Sequence, residues 1–476
     1  MANNVYLPEQ FLSKIEGIMP SELSMQDFID ICQQPLRKSI RVNTLKISVT
    51  DFLARAETLG WQLEPVPWCQ DGFWITRDDA TPLGNSAEHL AGLFYIQEAS
   101  SMMPVTALFH LFNNTEDAVL LDAAAAPGSK TTQIAAAVSN QGLVVANEFS
   151  ASRIKGLYSN LQRCGIKNVA LTNFDARVFG SWLPETFDAI LLDAPCSGEG
   201  TVRKDPDAMK NWCQSAIDAI ADTQKALIES AFYALKPGGT LIYSTCTLSQ
   251  EENQHVCDHL LATFEGNIEA CSLADLFPHA ERSATAEGYL HIWPQIYDSE
   301  GFFVAGFRKT ASQAGPKAKK RLGRFPFKAM NKKDIALFTD YLESQFGISQ
   351  LEGQVFNRDN ELWLFPEVFK PLIGQLKFDR VGIKLAEMFK KNYRLTHEWA
   401  LALGSQATKG TFELSLEQCQ EYYMGRDIRP ESGLSGKGEV LLTYKGHTVG
   451  LGKWVNTRIK NNLPRELVKD GNLFTQ

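Results

Sequence analysis

The stretch that most limits what this chain can fold into is residues 187–200, FDAILLDAPCSGEG. Its apolar part, 189–192, is typical of a strand buried on both faces of a parallel sheet. Sheets of this kind hold their ligands beyond the carboxyl ends of the strands. Asp193 and Cys196 fall at that position, so we expect a parallel sheet with a reaction centre at the end of this strand.

A second strand pattern ends in a second cysteine. Residues 240–243 are mostly apolar, and Ser244, Thr245 and Cys246 follow them. Neighbouring parallel strands end at the same edge of a sheet. Cys196 and Cys246 are therefore expected to meet there, although they are far apart in the chain.

The most regular local pattern is a strand, a tight turn and a helix. A strand predicted at 117–121 ends in Asp122, and the loop 123–130, AAAAPGSK, leads into a helix predicted at 131–138. Small residues let backbone N–H groups approach a ligand closely, and the start of a helix adds a partial positive charge. The loop lacks GxGxxG, which weakens a dinucleotide interpretation. We interpret it as a cofactor cradle.

Acids follow three predicted strands at the same edge. Besides Asp122, Glu148 follows a strand predicted at 143–146, and Asp175 lies just beyond one at 168–171. In doubly wound folds a carboxylate at the position of Glu148 hydrogen-bonds ribose hydroxyls. One such acid could simply cap a loop, but the ordered set favours a binding site.

Strand and helix patterns alternate from 117 to 310, which predicts a doubly wound, mostly parallel α/β sheet. The runs 289–293 and 301–307 predict an antiparallel pair that closes this sheet, and Ser249 with Glu252 predicts a capping box that opens a helix. Residues before this unit predict a small α+β module. The predicted domains are 1–95, 96–310, a basic linker at 311–334, and 335–476.

The formal charge of −8 does not indicate a nucleic-acid-binding protein, so such a function needs local basic segments. Residues 316–333 carry eight lysines and arginines, no acids and two phenylalanines, and 377–394 is a second basic and aromatic stretch. Either could be a solvated face or a linker. Together with an N-terminal basic cluster they favour RNA or DNA as a partner. That cluster comprises Arg37, Lys38, Arg41 and Lys46.

Nine cysteines without CxxC or Cys/His clusters argue against a disulfide framework and against a zinc site. We therefore expect no metal, and we expect the seven cysteines other than Cys196 and Cys246 to be small buried hydrophobic residues. The sequence has no long apolar run and no basic-then-apolar leader, which predicts a cytoplasmic protein without a membrane partner.

Two thiols and an aspartate fit the chemistry of cytosine C5. This carbon is too weakly nucleophilic to take a methyl group directly. A thiolate that adds to C6 passes electron density to C5, which can then attack an activated methyl group, after which the C5 proton and the thiol leave. The cycle needs a nucleophile, a proton partner for N3 and a means of releasing the enzyme.

The sequence resembles the RNA (cytosine-5) methyltransferases of the Nop/Sun type. The resemblance spans about 1–310, and the motifs that carry it are RVNTLK at 41–46, YIQEASSM at 95–102, DAAAAPGSKTTQIA at 122–135, DAPCSGEGT at 193–201 and STCTLSQEENQ at 244–254. It implies a Rossmann-like catalytic domain that uses S-adenosyl-L-methionine to methylate C5 of a cytosine in RNA. It also implies that the N-terminal module binds RNA.

The resemblance also implies roles for single residues. Cys246 would be the nucleophile, Cys196 the helper that promotes release, and Asp193 a contact to the cytosine edge and the methyl donor. From the residues alone the two thiols could exchange roles, because DNA cytosine-5 enzymes use the cysteine of Pro-Cys. Lys130, a cation beside the site, would favour the thiolate or hold the target phosphate.

The cofactor would lie along the loop and the acids. Glu148 would bind its ribose and Asp175 its adenine, and Ser129 replaces the second glycine usual in this loop. The loop residues expected to hold its amino-acid part are Ala124, Ala125, Ala126, Pro127, Gly128, Ser129 and Lys130.

The basic linker and tail further resemble a bacterial branch of this family that modifies 16S rRNA and carries a PUA-like RNA-binding region at its C-terminus. This implies 16S rRNA of the small ribosomal subunit as the partner, with tRNA or 23S rRNA as alternative substrates. We expect the enzyme to be a monomer.

Other classes of protein fit less well. A methyltransferase directed at a base amine ends this strand in Asp/Asn-Pro-Pro-aromatic and needs no thiol. A non-catalytic ribosome assembly factor would need neither the acids nor the thiols, and a dithiol redox enzyme would need neither the cradle nor the basic tail.

Overall fold

The structure is a computed structural model, which describes residues 5–78, 80–318, 322, 324–390, 392–431 and 434–475. These residues build four sheets of four, nine, five and four strands. Within the described chain, no helix is long and apolar enough to cross a membrane. Three cations of the predicted basic linker, Lys319, Lys320 and Arg321, lie outside the described residues.

The N-terminal unit packs helices against an antiparallel sheet. Its helices are Glu9–Ile18, Met25–Cys32, Val49–Thr58 and Ala87–Leu90, and its strands, in sheet order, are Gln62–Pro65, Gly72–Thr76, Ser39–Val42 and Phe94–Ile96. The Ser48 hydroxyl begins the third helix because it accepts the backbone N–H of Asp51 at 3.0 Å. The strand Ser39–Val42 ends where a turn follows, in which the Lys46 N–H bonds to the Asn43 carbonyl.

The central unit is the predicted doubly wound sheet with helices on both faces. Its strands, in sheet order, are Ile268–Cys271, Phe302–Lys309, Leu235–Thr245, Phe187–Asp193, Val119–Asp122, Leu143–Asn147, Val169–Thr172 and Arg380–Val381, with Leu290–Ile292 paired to Phe302–Lys309. Its helices are Met103–Leu111, Ser129–Ala137, Ala151–Cys164, Phe179–Trp182, Gln214–Ala234, Gln254–Thr263 and Pro294–Tyr297. The five middle strands are parallel and the outer ones antiparallel, so the predicted fold class and the closing pair are confirmed.

The order of these strands places a crevice at a defined point. The chain builds Val119–Asp122 first, then adds two strands on one side of it and the strands Phe187–Asp193 and Leu235–Thr245 on the other. The crossover direction therefore reverses between Val119–Asp122 and Phe187–Asp193. Ligands of doubly wound sheets bind beyond the strand ends at such a switch point.

The predicted capping box at Ser249 is wrong. The helix begins only at Gln254, and its N-cap residue Asn253 makes no side-chain cap bond. Glu252 is completely buried and accepts the backbone N–H of Ser197 at 2.9 Å and the amide of Gln224 at 2.9 Å. The Ser249 hydroxyl donates to Glu199 at 2.8 Å. The capping pattern is therefore used in a buried network under the loop that carries Cys196.

The C-terminal part forms two further sheets. In sheet order, the first has Lys328–Ala329, Gln354–Arg358, Glu361–Phe365, Ile383–Phe389 and Asn392–Leu395, and the second has Thr411–Glu413, Gly436–Tyr444, His447–Asn456 and Arg458–Asn461. The helices are Lys332–Phe346, His397–Leu403 and Leu416–Tyr423. The last sheet contains a hairpin of Gly436–Tyr444 and His447–Asn456.

The C-terminal part also completes the central sheet. Arg380–Val381 pairs antiparallel with Val169–Thr172, and Arg380 forms an ion pair with Glu398. Lys384 pairs with Glu361 at 2.7 Å. Two cations of the basic stretch 377–394, Arg380 and Lys384, therefore form ion pairs within the protein. Lys377, Lys390 and Arg394 are exposed.

The N-terminal basic cluster divides in the same way. Arg41 is 1% exposed and donates to the Gln97 side chain at 2.7 Å and to the Ser129 carbonyl at 2.8 Å. Lys46 donates to the carbonyls of Ala91 and Arg163. These two cations join the N-terminal and central units and are not placed to meet a phosphate.

Candidate active site

The two thiols meet at the carboxyl edge of the central sheet. Asp193 lies opposite Ser244 in the register of the two strands, so the loops that follow them leave the sheet side by side. The Sγ atoms of Cys196 and Cys246 are 3.0 Å apart, and both cysteines are free and half-buried. This distance suits a thiol that donates its hydrogen to a thiolate and exceeds a disulfide bond by about 1 Å.

A lysine and an aspartate stand beside the thiols. Lys130 Nζ lies 2.7 Å from Asp193 Oδ2 and 2.9 Å from the Ser101 hydroxyl oxygen. The Ser244 hydroxyl donates to Asp193 Oδ1 at 2.7 Å. Both oxygens of Asp193 thus accept hydrogen bonds, and Lys130 is held in a fixed position near the sulfur atoms.

Electrostatics distinguish the two thiols. A hydrogen bond from Cys196 lowers the pKa of Cys246, with further help from the Lys130 cation, against the opposing effects of burial and Asp193. The pKa of Cys196 is raised well above its ordinary value by the same hydrogen bond, by burial and by the charge of Glu252. The directions of these pKa shifts favour Cys246 as the thiolate and Cys196 as the thiol that keeps its proton.

The cradle loop is held by the sheet behind it. The backbone N–H of Ala125 donates to the Asn147 carbonyl at 2.7 Å, and that of Ala126 to Glu148 Oε2 at 3.3 Å. Gly128 caps the helix Ser129–Ala137 with φ 106°, and a Cβ atom there would lie 2.9 Å from the Leu157 side chain. The loop therefore requires glycine at this turn and keeps its backbone close to the sheet.

A cavity of about 270 Å³ opens at the switch point beside this loop. It mixes acids with apolar side chains, and its lining includes Ala124, Glu148, Phe149, Asp175, Leu192, Pro195 and Leu227. Glu148 is 3% exposed, and its carboxylate also accepts the Ser150 N–H at 2.8 Å. Asp175 pairs with Arg177 at 2.5 Å, and hydrogen bonds from Arg177 lower the pKa of Asp175. Two fixed carboxylates against apolar walls fit a nucleoside with ribose hydroxyls.

The predicted site residues thus fall into two groups. Ala124, Glu148 and Asp175 line the cavity. Lys130, Asp193, Cys196 and Cys246 form the thiol site, joined by the contacts described above. The remaining loop residues do not line the cavity, so their contact with a cofactor stays a prediction. They are Ala125, Ala126, Pro127, Gly128 and Ser129.

Sequence analysis missed the residues that hold these groups in place. Asn147 donates to the carbonyls of Ala123 and Phe174, and so joins the cradle to the next loop. Glu199, 1% exposed, accepts from Thr247 and Ser249. Asn147 could have been predicted from its position next to Glu148. Glu199 could not, because an acid in a glycine-rich loop has the pattern of a solvated turn.

Outside the sites, Cys213 is exposed and Cys271 is half-buried, so the expectation that all seven other cysteines are buried is wrong for these two. Each lies at one end of a helix or strand, where the chain reaches the surface. Cys213 precedes the helix Gln214–Ala234 as its N-cap residue.

Comparison with known proteins assigns the whole chain. Family models match as follows: N-terminal domain of 16S rRNA methyltransferase RsmF, residues 7–99; 16S rRNA methyltransferase RsmB/F, residues 109–308; ribosomal RNA small subunit methyltransferase F, pre-PUA domain, residues 327–403; and methyltransferase RsmF PUA domain, residues 409–469. The fold is therefore a Rossmann-like methyltransferase domain between an N-terminal domain and a C-terminal PUA region.

Relatives of full length agree with these matches. Proteins named ribosomal RNA small subunit methyltransferase F from Aeromonas salmonicida and Vibrio campbellii are each 60% identical, over 476 and 480 residues, with 100% of both chains covered. A solved methyltransferase homologue from Pyrococcus horikoshii is 33% identical with a TM-score of 0.53, and the match covers 64% of this chain and 100% of that one. The resemblance to the bacterial branch is confirmed, and the chain belongs to the ribosomal RNA small subunit methyltransferase F family.

Proposed function

We propose that this chain methylates C5 of a cytosine in 16S rRNA of the small ribosomal subunit, with S-adenosyl-L-methionine as methyl donor and through a covalent bond between Cys246 and C6. The observation that carries this proposal is the pair of thiols 3.0 Å apart at the sheet edge, beside Lys130 and Asp193. The names of the full-length relatives support rRNA as the substrate.

The thiol site supplies the steps on the base. The Cys246 thiolate forms the S–C6 bond, the electron pair of the C5–C6 double bond moves to C5, and a proton goes to N3. C5 then forms its bond to the methyl group, whose bond to the donor sulfur breaks and leaves its electron pair on that sulfur. Loss of the C5 proton restores the double bond and returns the C6–S electron pair to Cys246, while N3 gives its proton back. In this proposal Asp193 orients the edge of the base.

S-adenosyl-L-methionine supplies a methyl group on a positively charged sulfur. In the proposed arrangement, Glu148 and Asp175 hold its ribose and adenine in the cavity, and the backbone of 124–130 holds its amino-acid part. Leu192 and Pro195 line the cavity and lie next to Asp193 and Cys196 in the chain, so the proposed cofactor lies beside the thiol site.

The Glu148→Gln variant is expected to weaken binding of S-adenosyl-L-methionine by about 10- to 100-fold, because a neutral amide replaces the charged acceptor of the ribose hydroxyls. Isothermal titration of the purified protein measures this without RNA. The exposed Glu57→Gln variant in the N-terminal unit is the matched control. Unchanged affinity in Glu148→Gln would remove Glu148 from the cofactor site.

RNA binding is assigned to the C-terminal part together with the linker. Exposed cations lie along this part, in keeping with contacts to phosphates. They include Lys317, Arg324, Lys328, Lys332, Lys333, Lys377, Lys390 and Arg394. The PUA match at 409–469 supports the same assignment. The buried Arg41 and the half-buried Lys46 are left out of it, because their hydrogen bonds go to groups of the protein.

Because a single chain contributes every group of the thiol site and the cavity, we propose that the enzyme acts as a monomer. Its proposed substrate, bacterial small-subunit rRNA, places it in the cytoplasm. We keep the predicted domain limits, 1–95, 96–310, 311–334 and 335–476, as a proposal with one change, the contribution of Arg380–Val381 to the central sheet.

The test is a methylation assay with methyl-labelled S-adenosyl-L-methionine. The RNA is prepared from cells that lack the corresponding gene and offered as free 16S rRNA, assembled small subunits, 23S rRNA or tRNA. Label on C5 of one cytosine in 16S rRNA, free or assembled, is the expected result. Label confined to 23S rRNA or tRNA would contradict the substrate, and label on an exocyclic amine would contradict the chemistry.

A further inference from the structure

Glu98 lies in the YIQEASSM segment but has no role in the proposed chemistry. One of its carboxylate oxygens accepts the backbone N–H of Ser101 at 3.1 Å and the hydroxyl of Ser100. The other accepts the backbone N–H of Glu300 at 3.3 Å. Three donors on one carboxyl group match the ionised form, which only accepts hydrogen bonds.

These contacts connect Glu98 to the thiol site. Ser101 donates its backbone N–H to Glu98. Its hydroxyl oxygen accepts a hydrogen bond from Lys130 Nζ at 2.9 Å. Lys130 in turn contacts Asp193 at 2.7 Å. Glu98 therefore fixes the residue on which the active-site lysine rests.

Glu300 lies on the other side of the same site. Its Oε1 atom is buried and makes no hydrogen bond to any described residue, and the residue is 4% exposed. The next residue, Gly301, donates its N–H to the Gly200 carbonyl at 3.1 Å, and Gly200 donates its N–H to the Cys246 carbonyl at 2.9 Å. These backbone hydrogen bonds connect the segment that carries Glu300 to the loop that carries Cys246.

The surroundings of Glu300 favour its neutral form. Burial raises the pKa of Glu300 well above its ordinary value, and the nearby charges of Glu98 and Cys246 add to the effect. The cations Lys204 and Lys130 oppose it. Two carboxyl groups close together in a buried site cannot both ionise without a large cost.

We propose that Glu98 and Glu300, joined by the hydrogen bond from the Glu300 backbone N–H to the Glu98 carboxylate, form a pair in which Glu98 is ionised and positions Lys130 beside Asp193 and Cys246, and Glu300 is protonated. Glu98 is a positioning residue, since it acts on Lys130 through Ser101. An ionised Glu300 would add a second negative charge near Lys130. Lys130 would then stabilise the Cys246 thiolate less. The inference rests on the proposed function only in taking Cys246 as the nucleophile.

The two members of the pair should respond differently to the same substitution. Glutamine reproduces a protonated glutamate, so Glu300→Gln is expected to keep methylation close to that of the wild-type protein. In Glu98→Gln the amide NH₂ group would face one of the N–H or O–H groups that now donate to the carboxylate. That hydrogen bond would be lost, because both groups are donors. We expect methylation to fall by about 100-fold, because Lys130 is displaced.

A second measurement follows the ionisation of the Cys246 thiol in the protein without RNA. The rate at which iodoacetamide alkylates Cys246 is followed as a function of pH by peptide mass spectrometry, with the exposed Cys213 as internal control. A thiolate that has lost the support of Lys130 forms only at higher pH. The midpoint for Cys246 is therefore expected to move to higher pH in Glu98→Gln and in Ser101→Ala, and to stay in place in Glu300→Gln.

Thermal unfolding shows whether each variant is folded, and Ser101→Ala tests the same connection with a smaller change. Equal shifts of the Cys246 midpoint in both glutamine variants, or a shift only in Glu300→Gln, would overturn the pair. An unchanged midpoint in Ser101→Ala would overturn the connection through Ser101. Failure of the wild-type protein to methylate RNA would instead overturn the proposed function, because alkylation needs no RNA.

Discussion

Replacing Cys246 by alanine is expected to abolish methylation of 16S rRNA. In the proposed mechanism the Cys246 thiolate adds to C6, and C5 is not nucleophilic enough without that bond. Loss of a nucleophile of this kind typically costs about 10⁴-fold or more in turnover. The assay is label transferred from S-adenosyl-L-methionine to RNA, over a time course long enough to detect such slow turnover.

Two further measurements make this result specific. Cys246→Ala should still bind S-adenosyl-L-methionine, because the thiol is not among the residues that line the cavity. The exposed Cys213→Ala is the matched control and should methylate as the wild-type protein does. If Cys246→Ala turns over and Cys196→Ala does not, the two thiols have exchanged roles, as in the alternative taken from the DNA enzymes.

The sequence could predict the central sheet because its strands carry their own signal. A strand buried on both faces, such as Phe187–Asp193, must be apolar throughout, and the residue that ends the run marks the edge. Asp193 and Cys246 could be located in this way. A two-residue strand such as Arg380–Val381 has no periodicity to detect, so its addition to the sheet depends on tertiary packing alone.

Buried polar residues were the main source of error. Ser249 and Glu252 have the spacing of a capping box, but local spacing does not reveal that Glu252 is covered and must accept the Ser197 N–H. Arg41 and Lys46 likewise have the composition of a phosphate-binding surface while their hydrogen bonds go to backbone carbonyls and amides. In each case the partners are distant in sequence.

The same reasoning explains which residues of the site could be predicted from the sequence. The thiols, Lys130 and the acids lie at strand ends or in a small-residue loop, where a pattern indicates them. Glu98 and Glu300 lie in polar segments whose composition suits an ordinary turn. Their relation appears only when Glu98 is seen to accept the N–H of Glu300 across 202 positions of the chain.

Replacing Cys196 by alanine is expected to leave the protein covalently attached to its RNA. Cys196 keeps its proton 3.0 Å from Cys246 Sγ and can donate a hydrogen bond to the sulfur that must leave C6. Without this donor, addition and methyl transfer proceed but elimination slows. On a denaturing gel, Cys196→Ala mixed with S-adenosyl-L-methionine and unmethylated RNA should give a slow band that the wild-type protein gives weakly.

The attached RNA identifies the reaction that formed it. Sequencing should find 16S rRNA in the band, and the band should vanish when Cys246 is also replaced, because the bond to C6 belongs to that thiol. A band that survives in the double variant would place the bond on another residue. Normal turnover of Cys196→Ala would show that elimination needs no second thiol, and the 3.0 Å contact would then serve only to lower the pKa of Cys246.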